Sequence, residues 1–290
     1  MIRIATRSSA LAKAQAGQVG ELLGGAELVE VSSDGEAGDK ARFVRGVERA
    51  LLDGGAEIGV HSAKDLPAEL PEGLAIAAVP VREDPADAWI GVGSSLDDVP
   101  EGARIGTASL RRRAQLLAAR PDLRVEELHG NVDTRLRRLE EGELDAIVLA
   151  VAGLRRLGRE GEISFALPAE AMTPSAGQGA LVLQIRAGDE DSQDLAAAIG
   201  DETALCELTV ERAVVALLEA TCATPIGVHA QVEGGRIEAS AFVGLPDGGE
   251  WIRDRVEGES SDPVALGELL GERLLGAGAR EILDRAEAAA

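Results

Sequence analysis

The sequence predicts an α/β protein with two units of alternating strands and helices, followed by a smaller α+β domain. Up to about residue 160, short apolar runs of strand length alternate with longer segments whose apolar residues recur at helical spacing. After residue 200 the pattern changes to a long helix, an antiparallel pair of strands and further helices. Hydrophobic residues make up 45% of the 290 residues and aromatic residues only 2%, so the cores must consist mainly of Ala, Val, Leu and Ile.

The first unit begins with a strand, and Ser9 then caps a helix whose apolar residues extend to Leu23. Its other predicted segments are the strands 28–31, 58–60 and 74–79 and the helix 43–52. This order predicts a mainly parallel sheet that is covered on both faces.

The second unit repeats the alternation, although the sequence shows no internal repeat. Its predicted segments are the strands 89–92, 104–106, 123–128 and 146–150 and the helices 109–119, 132–139 and 153–157. Residues 81–86 and 173–179, which contain Pro and Gly, look like connections between the units. Two crossings of this kind predict a hinge over a cleft.

The last part has a different pattern. A helix over 204–219 precedes two alternating segments that meet at Glu233–Gly234–Gly235, which predicts a β-hairpin. The remaining predicted segments are the strand 251–256 and the helices 263–275 and 280–288.

The charge balance excludes several classes of partner. The net charge of -22 is dispersed along the chain, and a field of that sign repels nucleic acid and anionic membranes. Only three of the 29 basic residues are lysines, Lys13, Lys40 and Lys64, and the other 26 are arginines. Many carboxylates with little lysine predict a protein that works in concentrated salt, and a GC-rich codon bias is the alternative. No apolar signal core or long apolar run occurs, which predicts a cytoplasmic protein with reduced thiols.

Polar and basic residues follow four predicted strands. Because ligands of open α/β sheets lie beyond the C-terminal ends of the strands, these residues are expected to meet in one cleft. Ser9, Ser109 and Asn131 also look like helix N-caps, and helix N-termini attract anions. The pattern predicts a positive cleft for a small ligand with several carboxylates or phosphates. The residues are Arg7 and Ser9, then Ser62, Lys64 and Asp65, then Thr107, Ser109, Arg111 and Arg112, and finally His129 and Arg135.

Each of these residues also has a purely structural interpretation. The run 111–113 would suit a solvated helix face, and Arg7 an exposed ion pair. His61 would suit a packed core, and His129 a helix cap. Lys64 and Asp65 could form an ion pair that contributes little. Taken together, these residues favour a binding site more strongly than any one of them does, because the topology of the sheets brings the strand ends together.

Two residues are candidates for direct chemistry. Asp65 follows a strand and neighbours Lys64, where a carboxylate can transfer protons or stabilise a developing cation. Cys222 lies in a loop after a long helix, whereas Cys206 lies within that helix and is expected to be buried. No His–Asp pair is placed to activate Cys222, so the sequence gives little support to a cysteine hydrolase.

Nine segments make the chain resemble the porphobilinogen deaminase family over nearly its whole length. In order they are RIATRSSALA (3–12), VHSAKDLP (60–67), REDPADA (82–88), GTASLRRR (106–113), GNVDTRL (130–136), DAIVLAVAGLRRLG (145–158), GQGAL (177–181), ETALCELTVERA (202–213) and TCATPIG (221–227). The resemblance implies two domains similar to type II periplasmic-binding-protein folds, with a cleft and hinge, plus a small C-terminal α+β domain. It places domain 1 at 1–80 and 178–197, domain 2 at 81–177 and domain 3 at 200–290.

The resemblance also implies the chemistry. A dipyrromethane cofactor would be joined to Cys222 by a thioether, and four porphobilinogens would be added head to tail, with loss of ammonia, before water releases hydroxymethylbilane. Asp65 would be the catalytic carboxylate that stabilises the azafulvene-type cation. No metal or nucleotide is implied, and a monomer is expected. Cofactor contacts would come from Lys64, Ser109, Arg111, Arg112 and Arg135, and substrate contacts from Arg7, Ser9, Lys40, Ser62, Thr107, His129 and Arg156.

The chain departs from the family pattern at three places. His129 stands where the family usually has arginine, and Ala108 replaces a serine. The segment 32–42, which normally forms a lid, is several residues shorter than usual. Two other functions stay open from the residues alone: a cytoplasmic small-anion binding module of the same fold, and a phosphoribosyl transferase, for which no diphosphate–metal motif is present.

Overall fold

The computed structural model describes residues 1–32, 42–221 and 224–288, and it gives no side-chain placement for 42 and 43. Within these ranges the chain forms three sheets and their covering helices. The strands are β1 (Ile2–Arg7), β2 (Ala26–Val31), β3 (Ile58–Ser62), β4 (Leu74–Ala78), β5 (Asp87–Gly91), β6 (Arg104–Gly106), β7 (Arg124–Glu126), β8 (Ala146–Ala150), β9 (Phe165–Leu167), β10 (Leu181–Arg186), β11 (Ile226–Glu233), β12 (Arg236–Gly244) and β13 (Trp251–Glu259). The helices are α1 (Ala10–Leu22), α2 (Arg42–Leu52), α3 (Leu110–Ala119), α4 (Val132–Glu140), α5 (Val151–Arg156), α6 (Glu190–Ala197), α7 (Glu202–Leu217), α8 (Pro263–Gly276) and α9 (Ala279–Ala288).

The first two sheets have matching layouts. The first has the order β2-β1-β3-β10-β4 and the second the order β7-β6-β8-β5-β9. Four strands of each sheet run in one direction, which confirms the predicted mainly parallel sheets, and only β10 and β5 run against their neighbours. Each of these two is the first strand after the chain crosses between sheets. It starts beside the C-terminal end of β3 or β8, so it has to run the opposite way.

The two crossing segments, 81–86 and 173–179, lie side by side. Arg82 Nε donates to Gln178 O at 3.0 Å, and Glu83 N donates to Gly179 O at 3.2 Å. Gly179 has a φ of +89°, and a Cβ at this position would lie 2.1 Å from Glu83 O. The close contact of the two crossings therefore requires glycine at residue 179.

The third sheet is the antiparallel meander β11-β12-β13. Gly234 and Gly235, with φ of +58° and +81°, form the two-residue turn between β11 and β12, which confirms the predicted hairpin. Helices α7, α8 and α9 cover one face of this sheet with an aliphatic core that includes Val214, Val228 and Leu270. None of the described helices is long and apolar enough to cross a membrane.

The structure reveals a repeat between the first two sheets that the sequence did not show. In the first sheet, Arg3 N and the Arg3 guanidinium both donate to the Glu57 carboxylate, with 2.7 Å from the backbone nitrogen. In the second sheet, Arg104 bonds Asp145 in the same way, again with 2.7 Å from the backbone nitrogen. Each pair joins the starts of two neighbouring parallel strands, at the sheet edge opposite to the predicted site.

Candidate active site

Asp65 and Arg7 meet at the C-terminal edge of the first sheet. Strand β3 ends at Ser62, and a short 3-10 helix, Ala63–Asp65, turns the chain there. Arg7 ends the neighbouring strand β1, and its Nη1 lies 3.8 Å from Asp65 Oδ2. Both side chains are about one quarter to one third exposed. This edge therefore presents a carboxylate and a guanidinium that a ligand can reach.

The serines of this edge have partners within the protein. Ser9 caps α1 by accepting from Ala12 N at 3.2 Å, which confirms the predicted N-cap. Ser62 Oγ accepts from Nε2 of Gln15, a buried residue of α1, at 2.8 Å. Gln15 thus ties α1 to the end of β3. The sequence does not indicate this contact, because a glutamine within a helix gives no local signal of it.

Lys64 lies beside several charges of the second sheet. Its Nζ is 3.5 Å from Gln178 Oε1. Burial lowers the pKa of Lys64 to about 8; the charges of Arg112 and Arg111 also lower it, and those of Asp65 and Asp87 oppose the change. The strand ends of the two sheets are therefore close enough for their charges to interact.

Arg111 and Arg112 share one buried carboxylate. Arg111 Nη1 donates to Asp87 Oδ2 at 2.8 Å, while Arg112 Nη2 and Nε donate to Asp87 Oδ1 at 2.7 and 3.0 Å. Arg111 also donates to Thr173 O, and Arg112 to Val148 O. Neither arginine lies on a solvated helix face, because both are buried.

Asp87 was not singled out by the sequence, although it lies in the quoted segment 82–88. It is fully buried at the start of β5. Burial alone would raise the pKa of Asp87, but Arg111 and Arg112 outweigh that effect and hold it well below its usual range. The Asp87 carboxylate is therefore held in its ionised form, and its hydrogen bonds fix the positions of both guanidiniums.

Three further predicted residues adjoin this group. Ser109 caps α3 by accepting from Arg112 N at 3.4 Å, and Thr107 Oγ1 accepts from Ser109 N at 3.2 Å. Burial and the charge of Arg112 lower the pKa of Arg135 to about 10, and Arg135 Nε donates to Gly130 O at 2.9 Å. Asn131 caps α4, as predicted.

Arg156 reaches the crossing segments. Its Nη2 donates to Gly179 O at 2.7 Å, and burial lowers its pKa against the opposing charge of Glu83. Arg156 also borders a groove of about 460 Å³ between α1 and α5.

His129 contacts an acidic residue of its own loop. Its ring is mostly exposed, and Nε2 lies 2.7 Å from Glu127 Oε1. The imidazole therefore has an acidic neighbour on its own loop, which competes with any carboxylate of a ligand.

The buried carboxylate of Glu211 joins helix α7, which covers the third sheet, to both crossing segments. Glu211 of α7 accepts from Arg82 Nη1 at 2.8 Å and from Gly177 N at 2.6 Å. Burial raises the pKa of Glu211, but Arg82 and His229 outweigh it and lower the pKa overall. The sequence did not predict this contact, because its partners are more than 30 residues apart.

The predicted residues Lys40 and Cys222 lie outside the described residues, as does the shortened segment between 33 and 41. On either side of residues 222–223, Thr221 N donates to Thr224 Oγ1 at 2.8 Å, and Thr224 N donates to Thr221 O at 3.0 Å.

The charges of the site fit a group with several carboxylates. The described residues bring together six cations and three carboxylates, in a chain whose net charge is -22. Arg111 Nε and Arg156 Nε are buried, and neither has a hydrogen-bond partner among the described residues. A buried guanidinium N–H without an acceptor is costly, and an anionic ligand would satisfy it. The cations are Arg7, Lys64, Arg111, Arg112, Arg135 and Arg156, and the carboxylates are Asp65, Glu83 and Asp87.

The fold defines the class: two α/β units, each with a five-stranded sheet in which one strand runs against the other four, and a third α+β unit. The family models then identify the family. Residues 2–194 match the model described as "Porphobilinogen deaminase, dipyromethane cofactor binding domain", and residues 205–276 match "Porphobilinogen deaminase, C-terminal domain". A curated relative named porphobilinogen deaminase, from Brevibacillus brevis, is 42% identical over 298 residues, which span 97% of this chain and 96% of the relative. The chain belongs to the porphobilinogen deaminase family.

Family membership confirms the predicted cofactor and class of enzyme. The chain is a transferase of tetrapyrrole synthesis, and its first 194 residues contain the dipyrromethane cofactor binding domain. Among solved structures, it is similar to the Bordetella pertussis BvgS periplasmic VFT2 domain, with 15% identity, a TM-score of 0.42 and coverage of 68% of this chain and 86% of that one. It is also similar to a TRAP periplasmic solute binding protein from Desulfovibrio salexigens, with 12% identity, a TM-score of 0.43 and coverage of 70% and 73%.

Proposed function

We propose that the chain is a hydroxymethylbilane synthase. It would join four porphobilinogens head to tail, with one ammonia lost at each addition, and release linear hydroxymethylbilane by addition of one water. One observation carries this proposal: the Asp65 carboxylate stands at the edge of a site that is otherwise rich in cations. Porphobilinogen bears an acetate and a propionate, so a growing chain accumulates the carboxylates that such a site can bind.

The dipyrromethane cofactor would be attached at Cys222 and held by Lys64, Ser109, Arg111, Arg112 and Arg135. When bound, it supplies the pyrrole carbon to which the first substrate is joined. Arg111 and Arg112 suit this task because Asp87 fixes their guanidiniums before any ligand arrives. The Arg111 Nε, which lacks a partner among the described residues, supplies a directed donor for one carboxylate.

Substrate carboxylates would be bound by Arg7, Arg156, His129 and Lys40 and by three hydroxyls. Ser9, Ser62 and Thr107 each accept a hydrogen bond from the protein. A hydroxyl that accepts one such bond is oriented by it and retains its own O–H to donate. These residues can therefore present oriented donors to an anion.

Asp65 would act on the substrate. Its charge stabilises the positive charge that develops on the pyrrole as ammonia leaves, and its oxygens accept from pyrrole N–H groups. Arg7, 3.8 Å away, restricts the orientation of the carboxylate.

Intact mass of the purified protein tests this proposal. Wild-type protein should exceed the mass of its sequence by one dipyrromethane, that is, by two pyrrole units. Cys222→Ser should lose this excess. Cys206→Ser is the matched control and should keep it, because Cys206 is a partly buried helix residue whose Sγ lies 3.6 Å from Ser260 O. A mass excess that persists in Cys222→Ser would show the attachment to be wrong. Protein that binds porphobilinogen without turnover would favour the small-anion binding module.

Several finer points stay predictions. We propose a cytoplasmic monomer with the domain limits 1–80 with 178–197, 81–177 and 200–290. We also propose that the enzyme is halophilic and works in concentrated salt, on the strength of its net charge of -22 and its three lysines.

A further inference from the structure

We propose that Gln178 is a positioning residue, whose amide oxygen holds the Lys64 ammonium and whose amide nitrogen holds the Asp87 carboxylate. Gln178 would thereby keep these two opposite charges separate and leave Lys64 free to donate to an anionic ligand. The use of Lys64 by a ligand rests on the proposed function, whereas the contact between Gln178 and Lys64 does not.

The orientation of the Gln178 amide is fixed by its acceptors. Gln178 is buried in the second crossing segment. Its Nε2 donates to Pro85 O at 2.6 Å and to Asp87 Oδ1 at 2.9 Å, which uses both of its N–H groups. The amide oxygen must then point the other way, where Lys64 Nζ and Ser175 Oγ each lie 3.5 Å from it.

This arrangement places a neutral group between a cation and an anion. Arg111 and Arg112 already occupy both oxygens of Asp87. Among the described residues, no carboxylate oxygen lies within 4.0 Å of Lys64 Nζ. The charges that act on Lys64 are those of Arg112, Asp65, Asp87 and Arg111. Lys64 consequently keeps N–H donors that a direct ion pair with Asp87 would occupy.

A glutamate at residue 178 would remove this separation. Gln178→Glu keeps the shape of the side chain but places a carboxylate beside Lys64. An opposite charge within about 4–6 Å raises the pKa of a lysine by about 1–3 units. We expect the pKa of Lys64 to be at least about 1 unit higher in Gln178→Glu than in wild type.

Gln178→Met should shift the pKa of Lys64 in the opposite direction. Methionine fills a similar volume but cannot accept from the ammonium. Because an acceptor favours the charged form of a lysine, its loss should make the pKa of Lys64 lower in Gln178→Met than in wild type. A residue that only fills space would leave this pKa unchanged when Met replaces Gln. If Gln178→Glu does not fold, the titration of Gln178→Met alone still tests whether Gln178 positions Lys64.

The three lysines of this chain make the measurement direct. In holoenzyme labelled with [13C]lysine, NMR should show three side-chain Cε signals, and the one lost in Lys64→Arg identifies Lys64. Its chemical shift is followed from pH 6 to pH 11 in wild type and in both Gln178 variants. Gln193→Glu, which adds the same charge on exposed α6, is the matched control and should leave the titration unchanged.

A higher pKa in Gln178→Glu and a lower one in Gln178→Met would support the proposal. An unchanged or higher pKa in Gln178→Met would overturn it, as would an equal rise in Gln193→Glu. The titration does not depend on turnover. Failure of this inference is therefore distinguishable from failure of the proposed function, which the intact mass tests.

Discussion

Replacing Asp87 with asparagine should destabilise the fold strongly, because two guanidiniums would remain buried without their shared counter-charge. Asp87 is fully buried, and Arg111 and Arg112 are nearly so. Three hydrogen bonds of 2.7–3.0 Å join the three side chains. Breaking a buried ion pair by removing one partner costs about 3–5 kcal/mol. Asparagine retains one acceptor oxygen but turns an NH2 group towards an arginine, so the upper part of this range is expected.

The change is large enough to measure by thermal unfolding. For domains of 150–250 residues, 1 kcal/mol corresponds to about 2–4 °C, so a loss of about 4–5 kcal/mol should lower Tm by about 8–20 °C. The matched control is Asp145→Asn, which removes the carboxylate of the more exposed Arg104 pair. Exposed pairs contribute about 0.2–1 kcal/mol, so the control should lose no more than about 4 °C.

The pH dependence of this effect has a definite sign. The folded-state pKa of Asp87 is depressed, so its stabilisation is present above the unfolded-state pKa of about 3.9 and is lost as the pH falls. The difference in stability between wild type and Asp87→Asn should therefore shrink below about pH 4. A loss in the variant no larger than that of Asp145→Asn at pH 7 would refute the reasoning, since it would mean that Asp87 does not neutralise the two arginines.

Two further predictions concern rate and salt. Asp65→Asn should reduce turnover by at least about 100-fold at unchanged dipyrromethane content, because the amide keeps the shape but not the charge; near wild-type turnover would remove Asp65 from the mechanism. Tm and initial rate should both rise from about 0.1 M to about 1 M potassium chloride, since the Debye length falls from about 10 Å to about 3 Å and the surface carboxylates then repel each other less. A Tm that is flat or falls with salt would leave codon bias as the explanation of the scarce lysines.

The sequence predicted features whose causes are local. Ser9, Ser109 and Asn131 were predicted as helix caps, and each accepts from a backbone N–H three residues ahead. The hairpin at 234–235 was predictable for the same reason, because two adjacent glycines suit a turn with two positive φ angles. Most of the strands and helices followed from periodicity.

Contacts between distant segments could not be predicted in this way. Asp87 is separated from Gln178 by 91 residues, and no spacing in the sequence marks their contact. The same holds for Glu211 and Arg82, which are 129 residues apart. Strands β9 and β10 and helix α6 were not predicted either. β9 has only three residues, and Gln184 interrupts the apolar run of β10, where it bonds the buried His61 at 2.9 Å.

The repeat between the two sheets explains how so acidic a chain maintains a positive site. At the starts of the strands, Arg3 and Arg104 are each matched by a carboxylate. At the ends of the strands, six cations outnumber three carboxylates. Helices α1, α3 and α4 also begin at the strand ends, and their N-termini add partial positive charge to the site.

This separation determines how an anionic substrate can be captured. The net charge of -22 acts over a distance and repels a carboxylate-bearing molecule, whereas the strand-end cations act only on contact. At physiological ionic strength the Debye length is about 8 Å, so most of the distant surface charge is screened. Contacts of 3–4 Å in a partly buried site are screened much less. If the strand-end residues bind the substrate as proposed, its capture depends on short-range hydrogen bonds and ion pairs there, because the net charge of the chain does not attract an anion over a distance.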